Sequence, residues 1–121
     1  MTKVFVALLL VIVIGSGFYF FTGQKTAPVL VNSYEYYWRE GCPHCEKVSE
    51  FFDGWSGSNK IELEKRGLHE SAKNSNLLVQ RAQKCGMSKN DPLGVPFLYT
   101  PDGSCLMGDE PIIEYFKSLN I

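Results

Sequence analysis

The chain has 121 residues, which is enough for one small domain and too few for two. Hydrophobic residues make up 45% of it, so it can build a core, and its formal net charge is −1. Charges of both signs are mixed along the chain, and this near-neutral balance gives no indication of nucleic-acid binding or of a basic membrane-binding patch. The four cysteines are an even number, which permits two disulfides in an oxidising compartment.

The first 21 residues form an apolar segment. Val4–Phe21 carries no charge, and as a helix it would be about 27 Å long, close to the hydrocarbon thickness of a bilayer. A retained transmembrane anchor and a cleaved signal peptide both fit, but the aromatic run Phe18–Phe21 and the lack of an Ala-x-Ala-like site after it favour the anchor. Residues 22–28 are a polar linker. We expect a domain over residues 29–121 that is anchored outside the cytoplasm, for example in a periplasm, or secreted if the segment is cleaved.

The hydrophobic period changes several times after the linker. In chain order it predicts a strand over Val29–Trp38, a helix from Cys42 to Gly54, a short strand over Ile61–Glu64, a helix over Ser71–Cys85, a hairpin of strands Pro96–Thr100 and Ser104–Met107, and a last helix after Gly108. A strand–helix–strand start requires a right-handed parallel crossover, and the hairpin adds an antiparallel half. The order β-α-β-α-β-β-α therefore predicts an α/β fold with a mixed four-stranded sheet, preceded by an N-terminal apolar helix.

Two helices carry further expectations. The Ser71–Cys85 helix has one apolar side, which consists of Ala72, Leu78, Val79, Ala82 and Cys85. In the last helix Asp109 is a residue type that caps a helix N-terminus, so we expect it to be the N-cap.

Cys42 and Cys45 are separated by two residues at the point where a strand-like run gives way to a helix. Unpaired N–H groups and the dipole at a helix N-terminus favour a thiolate at Cys42, and Cys45 lies one turn further on, close enough to bond to it. Pro43 suits the first helical position, and His44 adds a donor, or a positive charge when protonated, beside Cys42. The pattern predicts a redox-active pair, with Cys42 as the exposed nucleophile and Cys45 as the buried resolving thiol.

The same pair also fits half of a zinc site or an inert structural disulfide. A zinc site needs two more ligands at compatible spacing. Cys85, Cys105 and His69 are each isolated in the sequence, so we predict no metal site.

The residues around Cys42 and before the third strand resemble those of a known superfamily. Cys42-Pro43-His44-Cys45 resembles the active-site tetrapeptide of the DsbA-like periplasmic disulfide oxidants, and Trp38 looks like the tryptophan that precedes the active site of thioredoxins. Val95-Pro96 is similar to the cis-proline position of the superfamily. The resemblance covers about residues 29 to 121 and implies a minimal thioredoxin-like fold, with Val95 and Pro96 binding an extended substrate segment beside Cys42.

The chain departs from that pattern in two places and shares one loose likeness with a related family. DsbA-like proteins carry a large helical insertion, whereas the stretch from Leu63 to Pro96 has room for one helix. Thioredoxins and DsbA-like proteins hold a buried acid six residues before the first cysteine, where this chain has Tyr36; Glu35 is adjacent but on the opposite face of the strand. Gly108-Asp109 is loosely similar to the glutaredoxin element that holds glutathione, so glutathione is a weakly supported cofactor and no other cofactor is expected.

Cys85 and Cys105 leave three interpretations open. They could form a structural disulfide, remain two buried thiols, or act as a resolving pair, and we favour the structural disulfide. Its formation would stabilise the fold by about 3 kcal/mol, and it requires Cα atoms no more than about 7 Å apart.

The predicted function is a thiol–disulfide oxidoreductase that acts on protein thiols and disulfides outside the cytoplasm and is recycled by a membrane or soluble redox partner. Whether it acts as an oxidant, a reductase or an isomerase stays open. The alternative is a module that binds or delivers a soft metal such as Cu(I) through the same two thiols.

Overall fold

A computed structural model gives the structure of residues 33–121. The apolar segment 1–21, the linker 22–28 and the first residues of the predicted first strand lie outside the described residues. Within residues 33–121, no helix is both long enough and apolar enough to cross a bilayer.

The described residues form four strands and three α-helices in the predicted order. The strands are β1 (Tyr34–Trp38), β2 (Leu63–Gly67), β3 (Phe97–Tyr99) and β4 (Cys105–Met107), the helices are α1 (Pro43–Gly54), α2 (Ala72–Lys84) and α3 (Asp109–Ser118), and a 3₁₀ turn occupies Ser58–Lys60. The sheet order is β2-β1-β3-β4, with β1 parallel to β2 and β3 antiparallel to both of its neighbours. The prediction of an α/β fold with a mixed four-stranded sheet is confirmed.

The second strand is shifted from its predicted position. The sequence indicated Ile61–Glu64, whereas β2 begins at Leu63 and ends at Gly67. Its register explains the shift: β2 pairs with β1 from Tyr34↔Leu63 to Trp38↔Gly67, so it extends as far as β1 does. The 3₁₀ turn at Ser58–Lys60 takes up the residues before it.

Each face of the sheet packs against different helices. We call the face covered by α1 and α3 the two-helix face; its core consists of Tyr36, Val48, Phe52, Leu98, Ile112 and Phe116. We call the face covered by α2 the one-helix face; its core consists of Tyr37, Leu78, Ala82, Phe97 and Tyr99. The alternation along β1 sends Tyr36 to one face and Tyr37 to the other, as the period of two requires.

The predicted apolar side of α2 was too wide. Leu78 and Ala82 are buried and Cys85 is half-buried, but Ala72 is exposed and Val79 is 42% exposed. One helix face can contact the sheet over only a narrow stripe, and the spacing of Leu78, Ala82 and Cys85 defines that stripe.

Candidate active site

The turn between β1 and α1 places Cys42 at the N-terminus of α1. Gly41 has φ +71°, a left-handed conformation that other residues rarely adopt. Cys42 is the N-cap: its backbone is extended, with φ −101° and ψ 106°, and its Sγ accepts a hydrogen bond from the Cys45 N–H at 3.2 Å. Pro43 is the first helical residue, a position whose N–H has no partner within the helix, so the missing N–H of proline costs no hydrogen bond. The first sulfur therefore lies where the helix dipole favours negative charge.

Cys42 and Cys45 are joined by a disulfide, with their Cα atoms 5.2 Å apart. Cys42 is 7% exposed and Cys45 is 3% exposed, so both residues are buried. The expectation of an exposed Cys42 is therefore wrong for this disulfide form. The sulfur is covered because it bonds to Cys45 on one side and lies 3.9 Å from the Val95 carbonyl oxygen on the other.

The loop before β3 lies against Cys42. The Val95–Pro96 peptide bond is cis, Pro96 is buried and Val95 is half-buried. The Pro96 carbonyl accepts a hydrogen bond from the Gly108 N–H at 2.9 Å, which ties this loop to the start of α3. The fold thus brings together Cys42 and Val95, which are distant in the sequence.

Asp109 has a different position from the predicted N-cap. Gly108, with φ +100°, is the N-cap and gives no side-chain hydrogen bond, while Asp109 is the first residue of α3. The Asp109 carboxylate instead faces α1, where Oδ1 lies 3.1 Å from His44 Nδ1 and Oδ2 lies 3.3 Å from Lys47 Nζ. The hydrogen bond from His44 lowers the pKa of Asp109, so this carboxylate stays ionised.

Trp38 ends β1 and is half-buried beside the two-helix core. Its ring meets the His69 ring edge-on, with centroids 4.8 Å apart. His69 is exposed, as expected, and its Nδ1 accepts a hydrogen bond from the Glu40 N–H at 3.4 Å. These contacts hold Trp38 in place next to the turn that leads to Cys42.

Tyr36 occupies the position at which thioredoxins hold an acid. Its hydroxyl donates to the Cys45 carbonyl oxygen at 3.3 Å, and burial raises the pKa of Tyr36, so the hydroxyl keeps its proton. Glu35 points to the one-helix face, as the alternation of β1 requires. Near Cys45 the side chain of Tyr36 therefore donates a hydrogen bond and does not act as a proton acceptor.

On the one-helix face, Glu35 belongs to a buried ion pair that the sequence analysis missed. Arg81 donates to both carboxylate oxygens at 2.8 and 3.0 Å, and the Tyr37 hydroxyl donates at 2.8 Å. Burial by itself raises the pKa of Glu35, but the hydrogen bonds from Arg81 and Tyr37 outweigh burial and the net shift is downward. Arg81 follows Leu78 by three residues on a helix, and this spacing was a signal that its side chain borders the buried stripe.

Cys85 and Cys105 form the second disulfide, with Cα atoms 6.1 Å apart. Cys85 caps the C-terminus of α2 and Cys105 begins β4, so the bond joins that helix to an edge strand. Both residues are half-buried at the margin of the one-helix core.

Two grooves flank the Val95 loop. One has a volume of about 510 Å³ and extends from Cys42 over Leu68 and Val79. The other, about 390 Å³, lies between the loop and the start of α3 and is lined by His44, Met107 and Asp109. Val95 lines both grooves, so an extended chain that crosses them would pass directly beside Cys42.

No group of three or more His, Cys, Asp or Glu side chains in the described part of the chain is arranged to hold a metal ion. The copper alternative needs only the two thiols of Cys42 and Cys45, and it stays a prediction.

Comparisons with known proteins agree with this architecture. No protein-family model matches the chain, and no curated protein matches it. Among solved structures, it is similar to the crystal structure of a single-substitution mutant of the thioredoxin-like protein BC3987, with a TM-score of 0.52 and 23% sequence identity over 73% of this chain and 100% of that one. The chain has a thioredoxin-like fold. At this identity the likeness establishes the fold alone. The chemistry of the domain depends on its own Cys42–Cys45 pair.

Proposed function

We propose that the protein is a thiol–disulfide oxidoreductase whose redox centre is the Cys42–Cys45 pair. The observation that carries the proposal is the placement of this disulfide at the N-terminus of α1, with the Val95 carbonyl oxygen 3.9 Å from Cys42 Sγ. A structural disulfide gains nothing from a helix N-terminus. A catalytic one does, because the reduced form is a thiolate that the terminal N–H groups and the dipole stabilise.

Exchange proceeds in two balanced steps. When the domain oxidises a substrate, a substrate thiolate attacks Cys42 Sγ, the Cys42–Cys45 bond breaks, and Cys45 leaves as a thiolate. A second substrate thiolate then attacks the substrate sulfur of the mixed disulfide and expels the Cys42 thiolate. Two electrons pass from the substrate to the domain, and the substrate gains one disulfide. Reduction of a substrate is the same sequence in reverse, with Cys42 as the attacking thiolate.

Cys42 is the sulfur that we assign to the mixed disulfide. Its Sγ accepts the Cys45 N–H and is the helix N-cap, so negative charge is better stabilised there than on the more buried Cys45. Val95 and Pro96 would hold an extended substrate segment by backbone hydrogen bonds, and the two grooves on either side of Val95 would take its side chains.

We further propose that the domain works outside the cytoplasm, anchored by residues 1–21. The uncharged run Val4–Phe21 and the second disulfide, Cys85–Cys105, support this, since stable disulfides belong to oxidising compartments. Its substrates would be protein thiols or disulfides, and a separate redox partner would restore the pair after each turnover.

The test uses two variants with opposite outcomes. Cys42→Ser should abolish both insulin reduction and oxidation of a dithiol peptide, because it removes the attacking sulfur. Cys45→Ser should instead accumulate mixed disulfides, visible on a non-reducing gel and lost on adding a reductant, because the resolving thiol is missing.

The double variant Cys85→Ala, Cys105→Ala is the matched control, since it removes the other disulfide and should keep exchange activity. Exchange that persists in Cys42→Ser at the rate of the unmodified protein would refute the proposed function. Loss of activity only in the control would move the redox centre to Cys85 and Cys105.

A further inference from the structure

His44 is the ionisable residue between the two cysteines, and its side chain is hydrogen-bonded to α3. Nδ1 lies 3.1 Å from Asp109 Oδ1, and within residues 33–121 no hydrogen bond joins His44 to Cys42. Cys42 Sγ accepts from the Cys45 N–H and lies near the Val95 carbonyl. The His44 imidazole, which the sequence predicts to lie beside the Cys42 sulfur, is therefore bound to Asp109 instead.

Asp109 is the fixed member of this pair. Its side chain is only 14% exposed, against 63% for His44. The N-cap before it, Gly108, is bonded to the Pro96 carbonyl, and the helix that follows buries Ile112 and Phe116. Because Asp109 is held by the fold and His44 is largely free in solvent, the carboxylate determines where the imidazole points.

The charged groups around this contact are few. Lys47 on α1 also reaches Asp109, at 3.3 Å, and Glu110 is the other acidic residue in the first turn of α3. The facing loop, residues 92–96, consists of Pro, Leu, Gly, Val and Pro and adds no titratable side chain. Among residues 33–121, His44 and Asp109 are thus the only ionisable ones that line the groove of about 390 Å³ beside the cis-proline.

We propose that Asp109 is a positioning residue for the redox centre: it holds the imidazole of His44 toward α3 and away from the Cys42 sulfur. This inference rests on the proposed function. In the reduced protein, the N–H donor of His44 is engaged by a carboxylate and stabilises the Cys42 thiolate less than a free imidazole would. The site is therefore a weaker oxidant than the sequence Cys-Pro-His-Cys by itself indicates.

The inference is tested by the equilibrium of the purified domain with glutathione. In that equilibrium the domain disulfide and two glutathione thiols give the domain dithiol and one glutathione disulfide, so atoms and electrons balance. The measurement is made at one fixed pH for every variant. Asp109→Asn should shift the equilibrium about fivefold toward the dithiol, which is about 20 mV for a two-electron couple.

Three matched variants separate positioning from simple loss of a negative charge. Glu110→Gln removes a carboxylate one residue away that has no contact with His44 and should shift the equilibrium less than twofold. Asp109→Glu keeps the carboxylate and should restore most of the original value. In a His44→Ala background, Asp109→Asn should have less than half of its effect, because the ring through which it acts is gone.

Equal shifts in Asp109→Asn and Glu110→Gln, or an undiminished Asp109→Asn shift without His44, would overturn the inference. Helix content by circular dichroism checks that each variant is folded. Failure here is distinguishable from failure of the proposed function, because the glutathione equilibrium is measurable whether or not the domain exchanges disulfides with insulin.

Discussion

The two-helix face of the sheet is sealed by aromatic rings, whereas the one-helix face encloses an ion pair and is closed by a disulfide. On the first, Phe116 packs against Phe52, Tyr34 and Trp55 with ring centroids 5.0 to 5.3 Å apart. On the second, Glu35 and Arg81 lie beside the core of Tyr37 and Leu78. Two helices can cover one face of a sheet with apolar side chains alone. A single helix leaves the edge of the face uncovered, and polar groups that are buried there must be paired with one another.

The two faces also contribute different parts of the proposed redox centre. The two-helix face places the N-termini of α1 and α3 side by side, and with them Cys42, His44 and Asp109. The one-helix face positions the opposite side of the site, because the loop that carries Val95 runs from the end of α2 to β3. Changes on the two faces should therefore affect stability through different forces.

The largest effect is expected from Phe116→Ala. Phe116 is 0% exposed and at the centre of the aromatic cluster, so the variant leaves a cavity and should lower the free energy of unfolding by about 4 kcal/mol. Urea denaturation followed by tryptophan fluorescence measures it. Glu114→Ala, at an exposed position on the same helix, is the control and should change stability by about 0.5 kcal/mol or less. A loss below about 2 kcal/mol for Phe116→Ala would show that the rings do not seal this face.

The second largest effect is expected from removing the Cys85–Cys105 disulfide. The bond closes a loop between residues 20 apart, so the double variant Cys85→Ala, Cys105→Ala should lose about 3 kcal/mol of unfolding free energy by relieving the constraint on the unfolded chain. Thermal unfolding of both proteins without reductant is the measurement. Identical midpoints would mean that the disulfide does not stabilise the one-helix face.

The third effect is expected from Glu35→Gln. The amide can still accept one hydrogen bond from Arg81 but leaves that half-buried guanidinium without the counter-charge of Glu35, so we expect a loss of about 2 kcal/mol. Glu64→Gln is the matched control: Glu64 pairs with Arg66, but its side chain is 44% exposed, and its loss should cost less than about 1 kcal/mol. If both variants lose the same amount, burial of the Glu35 pair has no special importance.

The smallest effect is the pH dependence that follows from the same carboxylate. The pKa of Glu35 is lower in the folded chain than in the unfolded chain, so its contribution to stability is present above the ordinary glutamate pKa of about 4.3. It is lost as pH falls through the lower, folded pKa. Urea midpoints measured from pH 7 to pH 3 should therefore fall less steeply for Glu35→Gln than for the unmodified protein. Parallel curves would contradict the lowered pKa.

Much of the fold could be predicted because it depends on local patterns. The period of two in Tyr34–Trp38, the change to a helical period after Cys42, and the Pro-Asp-Gly turn before Cys105 each determine an element from neighbouring residues. The end of β2 could not be predicted, since Lys65, Arg66 and Gly67 have no strand pattern and become a strand only by pairing with β1.

The sequence by itself determined the residues on which the proposed thiol chemistry depends: two cysteines one helical turn apart, a proline where the helix begins, and a Val-Pro pair before the third strand. Tertiary structure decided what surrounds that chemistry. It placed the Val95 carbonyl over Cys42, turned Asp109 from the predicted helix cap into the partner of His44, and paired Glu35 with Arg81 across the one-helix face. Each of these contacts joins residues far apart in the sequence, so it depends on how the helices pack on the sheet and leaves no periodic signal in the chain.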